Sequence, residues 1–280
     1  MTFLNQWQNL LTTMIKTLLQ TDSDYVYTFL RIIAGIIVFP YGMQKLFGWF
    51  SAPGFGTPGI KGSLTVFTYD RRGRGESGDT PPSYAVEREV EDIAALLNEA
   101  GGAAFVWGMS SGAALALEAA NRLKGIKKLA LYEAPFIVDH TRPTTEDDWD
   151  LISAAVAADQ RSDAVKLFLK SAGVPGFVRA LMPLIIPVWL KLKAVAHTLP
   201  YDGAILRDNQ RGEPLPASQW ASVTIPTLVI DGGNSPAWML HANRSLASVL
   251  PNAQYQTLQG QTHMLKPKAH APTLVEFFKD

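Results

Sequence analysis

Residues 104–123 read Ala104-Phe105-Val106-Trp107-Gly108-Met109-Ser110-Ser111-Gly112, continuing as Ala113-Ala114-Leu115-Ala116-Leu117-Glu118-Ala119-Ala120-Asn121-Arg122-Leu123. The short apolar run Ala104–Trp107 predicts a buried strand, and the alanine- and leucine-rich run Ala113–Leu123 predicts a helix. Between them Gly108-Met109-Ser110-Ser111-Gly112 spells G-x-S-x-G. That is the context a nucleophile elbow requires: small neighbours let strand and helix approach closely, and the serine sits in a tight, strained turn. Its Oγ projects above the sheet, while the backbone N–H of Ser111, at the helix N-terminus, faces a developing oxyanion. The plainer reading is a turn serine between two glycines.

Outward from this junction the chain alternates. Leu64–Tyr69 predicts a strand, Glu87–Ala100 a helix with acidic residues in its first turn, and Lys128–Tyr132 and Thr227–Ile230 further strands. Gln254–Leu258 predicts a last strand and Pro272–Lys279 a closing helix. Strand and helix in that rhythm imply an α/β fold with a mostly parallel sheet covered on both faces. A long helical insertion separates the strands ending at Tyr132 and starting at Thr227, with helices expected over Asp147–Ser171 and Val178–His197. Two prolines interrupt its most apolar run, Leu181–Leu190, which argues against a membrane span there. A cap closing over a pocket fits better, with Trp189 and Met182 offering an apolar lining.

Composition narrows the chemistry. Twenty-five basic residues balance twenty-five acidic ones, which removes the electrostatic case for a nucleic-acid partner. Cysteine is absent, so there is no thiolate nucleophile and no cysteine-based metal site. A serine nucleophile needs a base. Of five histidines, His263 follows the last strand at the sheet's carboxyl edge, where sites cluster in such folds. His140, His197, His241 and His270 read as surface or capping residues.

With those residues in place, Tyr69-Asp70-Arg71-Arg72-Gly73-Arg74-Gly75-Glu76-Ser77-Gly78 resembles the loop after the fourth strand of α/β-hydrolases, with its D-x-R-G-x-G-x-S pattern. The resemblance covers residues 64–280, with the insertion at about 137–222 as the cap. It implies a triad in the order serine, acid, histidine: Ser110, an acid, and His263. The family usually places the acid shortly after the strand Thr227–Ile230, where this chain has Ser235. Glu133, after the preceding strand, and Asp231 remain as candidates, with Glu133 preferred because some family members use the earlier strand. Gly73, Gly75 and Gly78 also spell G-x-G-x-x-G, but Pro81-Pro82 stand where a phosphate-binding helix would be running. Serine at the elbow argues against dehalogenase or epoxide hydrolase chemistry, which needs a carboxylate there. The resemblance implies hydrolysis of a small apolar ester, thioester or lactone through an acyl-enzyme, with no metal and no organic cofactor.

The front of the chain departs from that family. Three strands should precede Leu64, and the loop after the third supplies a second oxyanion N–H, often beside a histidine; here no histidine precedes His140. Instead Tyr25–Phe50 reads YVYTFLRIIAGIIVFPYGMQKLFGWF. The elements Leu30–Gly35, Phe39-Pro40-Tyr41-Gly42 and Gln44–Gly48, followed by the glycine-rich Pro53–Gly62, resemble the first membrane helix of the DoxX family. Thirteen uncharged residues separate Arg31 from Lys45, short of the ~20 that span a bilayer. The stretch therefore reads equally as a membrane span or as a buried or surface-lying helix. It lacks the features of a signal peptide. Residues 1–63 carry a charge of +2 and the remainder −2, and the junction near Gly62-Ser63 suggests a fused gene. The expected location is cytoplasmic, with membrane association through residues 25–50. The competing function is a non-catalytic membrane-associated protein carrying a damaged hydrolase fold. Nothing in the pattern selects an oligomeric state.

Overall fold

The computed structural model of the chain describes residues 66–79, 84–143 and 146–279. The DoxX-like segment, the 63/64 boundary and the expected absence of the family's first strands all fall on residues outside those described. Four strands form one sheet in the order β1 (Ala104–Met109), β2 (Ile126–Tyr132), β3 (Thr227–Gly232) and β4 (Ala253–Leu258), and every pair is parallel. Nine α-helices are described: α1 (Val86–Glu99), α2 (Ser111–Arg122), α3 (Glu146–Ala157), α4 (Arg161–Ser171), α5 (Gly176–Leu181), α6 (Ile186–Ala194), α7 (Leu199–Leu206), α8 (Ala237–Val249) and α9 (Pro267–Phe278).

The central strands are apolar on both faces, as a parallel sheet between helices demands. Leu129, Ala130, Leu131 and Tyr132 of β2 and Val229 and Ile230 of β3 are completely buried. Ala130, Tyr132, Leu228 and Ile230 share one core cluster with Leu274 and Phe278 of α9. On the opposite face α2 packs on β1 and β2, and α8 on β3 and β4. Helix α2 manages close approach with small residues, burying Ala113, Ala114, Ala116 and Ala119 beside Leu115 and Leu117. Strand β4 alternates exposed and covered positions, as befits a strand at the sheet's edge.

Five expectations are corrected. The strand expected over Leu64–Tyr69 is not part of the sheet in its described portion, Val66–Tyr69. A strand exists by virtue of a hydrogen-bonding neighbour, and among the described residues nothing pairs with the outer edge of β1. The helix expected over 147–171 breaks in two around Asp159, which adopts φ 52°. The one expected over 178–197 is cut at Pro183 and Pro187 into α5, α6 and two single 3-10 turns; a proline inside a helix removes an N–H and clashes with the preceding turn. The closing helix begins five residues early, at Pro267, where proline's fixed φ suits a first helical position.

His270 is the fifth correction. It is not a surface residue but completely buried on α9. Its ring lies edge-on to Tyr132 at 5.3 Å and tilted against Trp107 at 5.4 Å. Neither ring nitrogen has a hydrogen-bond partner among the described residues. Burial pushes its imidazole down to about 3 from an ordinary 6.5. The unfolded chain therefore takes up a proton near pH 6.5 that the folded chain refuses until about pH 3. The corresponding stability is complete above pH 6.5 and drains away as pH falls. By pH 4.5 the loss from this group is roughly 2–3 kcal/mol. His270→Leu should flatten that dependence in urea unfolding at pH 7 and pH 4.5, and parallel losses in variant and parent would assign the acid sensitivity elsewhere.

Candidate active site

In a parallel sheet every strand delivers its chain to the same edge. Here the carboxyl ends of β1, β2 and β3 lead into Ser110, Glu133 and Ser235, and the loop after β4 carries His263. Ser110 adopts φ 56° and Glu133 φ 48°, two of the three non-glycine residues in the left-handed region among those described. Each such residue costs about 1–3 kcal/mol and persists only where its surroundings over-determine it. The sheet's hydrogen bonds run straight through both. Ser110 N–H donates to the Tyr132 carbonyl at 2.9 Å, and Glu133 N–H to the Ile230 carbonyl at 3.0 Å.

Two glycines make room for this. A methyl group on Gly108 would lie 2.3 Å from the Gly112 carbonyl oxygen, so strand and helix could not close on the serine. One on Gly232 would lie 2.6 Å from the backbone of Gln261, so the His263 loop could not rest against the tip of β3.

The side chains then meet. His263 Nε2 is 3.2 Å from Ser110 Oγ, and His263 Nδ1 is 2.7 Å from Glu133 Oε2. A carboxylate only accepts, so Nδ1 carries the proton and Nε2 is left to accept from the serine hydroxyl. Glu133 is completely buried. Its other oxygen, Oε1, accepts from the Gly232 N–H at 2.8 Å and from the Ser235 hydroxyl. Tyr132 Oη donates to the Thr262 carbonyl at 2.8 Å, which ties β2 to the residue before His263.

The profile of the Alpha/beta hydrolase family matches residues 46–274. The chain belongs to that family. This alpha/beta hydrolase is similar to the crystal structure of an alpha/beta hydrolase from Sphaerobacter thermophilus DSM 20745, with 48% identity over 86% of this chain and 87% of that one and a TM-score of 0.69. More distant likenesses include the enol-lactonase from Burkholderia xenovorans LB400, at 21% identity over 76% and 80% of the two chains and a TM-score of 0.53. Another is MGS-M2, an alpha/beta hydrolase enzyme from a Medee basin deep-sea metagenome library, at 19% identity over 75% and 78% with a TM-score of 0.55. These two share the fold. A search of curated proteins finds no match. The family match starts at residue 46, inside the segment that the sequence likens to DoxX.

Of the hydrolase's sequence-derived candidates, Ser110, Glu133 and His263 come together and Asp231 does not join them. Asp231 is also completely buried, but it accepts from the Tyr255 hydroxyl on β4. Burial pushes its carboxyl up, against the Tyr255 and Thr257 hydroxyls that pull it down. Its side chain points where the pleat sends it, since Asp231 pairs in register with Thr257. His140 and His241 are exposed, and His241 meets Asp139 at 2.7 Å. Among the described residues no group of three or more His, Asp or Glu side chains is placed to hold a metal ion. The G-x-G-x-x-G loop folds back on itself, Gly73 N–H donating to the Gly78 carbonyl at 3.2 Å, and α1 begins only at Val86.

Sequence reasoning missed two supports. The sequence offered Ser235 only as the position where the expected acid is missing, whereas its hydroxyl donates to Glu133. Arg71 was part of a motif with no assigned contact. Its guanidinium binds both oxygens of Glu89 at 2.5 and 2.6 Å, Asp202 of α7 at 2.8 Å, and the Ser111 hydroxyl at 3.2 Å. Arg74 reaches Asp202 at 3.0 Å. Burial alone would raise the Asp202 carboxyl, and Arg74 and Arg71 together hold it below its ordinary value. Two cations and two anions thus neutralise one another beside the elbow, which such buried groups require. For Ser235→Ala, the loss of a donor to a buried carboxylate should lower stability by about 1–3 kcal/mol, measured by urea unfolding at pH 7.

Proposed function

We propose that the protein is a serine hydrolase of small apolar esters, thioesters or lactones, working through an acyl-enzyme. The observation that carries this reading is the unbroken hydrogen-bonded chain from Ser110 through His263 to Glu133, anchored at two left-handed backbone positions. Ser110 Oγ attacks the acyl carbon while His263 Nε2 takes its proton. Negative charge gathers on the former carbonyl oxygen, and the Ser111 N–H at the start of α2 is the donor that meets it. As the tetrahedral adduct collapses, the bond to the alcohol or thiol breaks and His263 returns the proton to that leaving group. In a lactone the leaving alcohol stays attached to the acyl chain. Water then enters, loses a proton to His263 and attacks the ester on Ser110, releasing the acid and restoring the serine. Glu133 stays ionised throughout and stabilises the imidazolium that forms twice per cycle. No metal or organic cofactor enters these steps.

Residues 64–280 form the hydrolase domain in this reading, and the helices at about 137–222 form its cap. Support comes from the point of departure: the chain leaves for α3 from the carboxyl end of β2, the edge that carries the site. Within that segment Met182 is buried and Trp189 half-buried, consistent with an apolar acyl group. The expected loss of the second oxyanion donor, which the family draws from ahead of the fourth strand, falls on residues outside those described. Losing such a donor costs about a hundred- to a thousandfold in rate, so turnover by this chain measures directly whether that donor is supplied.

Ser110→Ala should abolish both turnover of a short p-nitrophenyl ester and labelling by a fluorophosphonate probe, at an unchanged melting temperature. Equal labelling of variant and parent would sink the proposal. Glu133→Gln should lower kcat by roughly 10³–10⁴ with KM little changed, because the amide can donate to Nδ1 and favours the wrong tautomer.

A further inference from the structure

Helix α6 poses a problem of solvation. Its sequence is Ile186-Pro187-Val188-Trp189-Leu190-Lys191-Leu192-Lys193-Ala194, and none of its nine residues is buried. A nine-residue helix is too short to persist in water on its own propensity, so it depends on burying an apolar face. Yet Ile186 is 64% and Leu190 57% exposed, and the adjoining turn exposes Leu184 to 74%. Phe177 and Leu181 of α5 extend the same exposure. Single exposed apolar residues need no explanation, whereas five within the fourteen residues Phe177–Leu190 mark an interaction face.

The charge along the segment that carries this face has one sign. Between Asp163 and Asp202 the chain holds no acidic residue, while Lys166, Lys170, Arg179, Lys191 and Lys193 all fall there. Lys191 and Lys193 lie in the last turn of α6, at the end of the apolar run. A second copy of the chain docking on this face about a two-fold axis would bring those cations against their own equivalents. An occupant that is apolar beneath and anionic at its surface suits both features at once. That is the pattern of interfacial helices, whose apolar side chains enter the acyl boundary while lysines and arginines meet the headgroups.

We infer that α5, α6 and the turn between them form a docking face for the surface of an anionic phospholipid bilayer. None of the described helices is long and apolar enough to cross a membrane, so attachment through this face is peripheral and reversible. It is independent of the chemistry at Ser110.

The test uses the full chain and sedimentation with lipid vesicles. Vesicles of phosphatidylcholine with about one third phosphatidylglycerol should bind the protein at least tenfold more strongly than phosphatidylcholine alone, and added salt should abolish the difference. Leu184→Glu/Ile186→Glu, which alters only exposed positions, should lose that binding at an unchanged melting temperature. Ser110→Ala should bind as the parent does, which separates this inference from the proposed reaction. Failure to bind the anionic vesicles, or equal binding by the double variant, would overturn it. So would a dimer in solution that the double variant dissociates while neither form binds vesicles.

Discussion

A carboxylate with no access to water must have every lone pair answered from within the protein, and Glu133 is such a group. The donors that answer it come from three separate places: the tip of β3 through Gly232, the following turn through Ser235, and the last loop through His263. None of these is near Glu133 in sequence. Satisfying one buried charge therefore fixes the relative positions of β2, β3 and the histidine loop, and it sets the imidazole's tautomer in the same stroke. Placing the acid on β2 next to the serine's own strand also keeps the two strained residues on neighbouring rungs of the sheet.

The strain at those rungs is tolerable because the sheet beneath them is not negotiable. The carboxyl half of β2, Leu129–Tyr132, and the apolar residues of β3, Leu228–Ile230, are buried on both faces, so a register slip would expose an entire face of the core. The backbone hydrogen bonds of Ser110 and Glu133 extend that register by one residue past the strand ends. Left-handed backbone at the tips of well-packed strands gives side chains a fixed direction, and this is what a site needs from its scaffold.

Much of this was readable from residue order. G-x-S-x-G between a strand and a helix located Ser110 because the chemistry of a tight turn is local. His263 followed from its place after the last strand, once the parallel rhythm put all strand ends at one edge. Glu133 and Asp231 could not be separated in sequence, since both follow buried strands by a residue; the pleat of β3 decides, turning Asp231 toward Tyr255. Ser235 as a donor and His270 as a core residue were invisible for the same reason. Their surroundings, Gly-Asn-Ser-Pro and Lys-Ala-His-Ala-Pro, read as polar loop and helix surface, and only tertiary packing closes over them. The run Val66–Tyr69 has strand composition without a strand, because pairing belongs to the neighbour as much as to the segment.

The long excursion between β2 and β3 also orders events in time. Strands β1 and β2 are joined by a connection of about sixteen residues and β2 and β3 by some ninety, a difference that adds ~1.5 kcal/mol to the entropy of closing the loop. Ser110 and Glu133 can therefore be brought onto adjacent strands by a short β-α-β crossover, at a lower entropic cost than the closure that delivers Gly232 and His263. Until those two arrive, a glutamate destined for burial has no donors and remains hydrated. The charge at the heart of the site is thus a late-setting latch on the fold: docking of the second half of the sheet is favoured only when the ninety-residue loop delivers every partner in register.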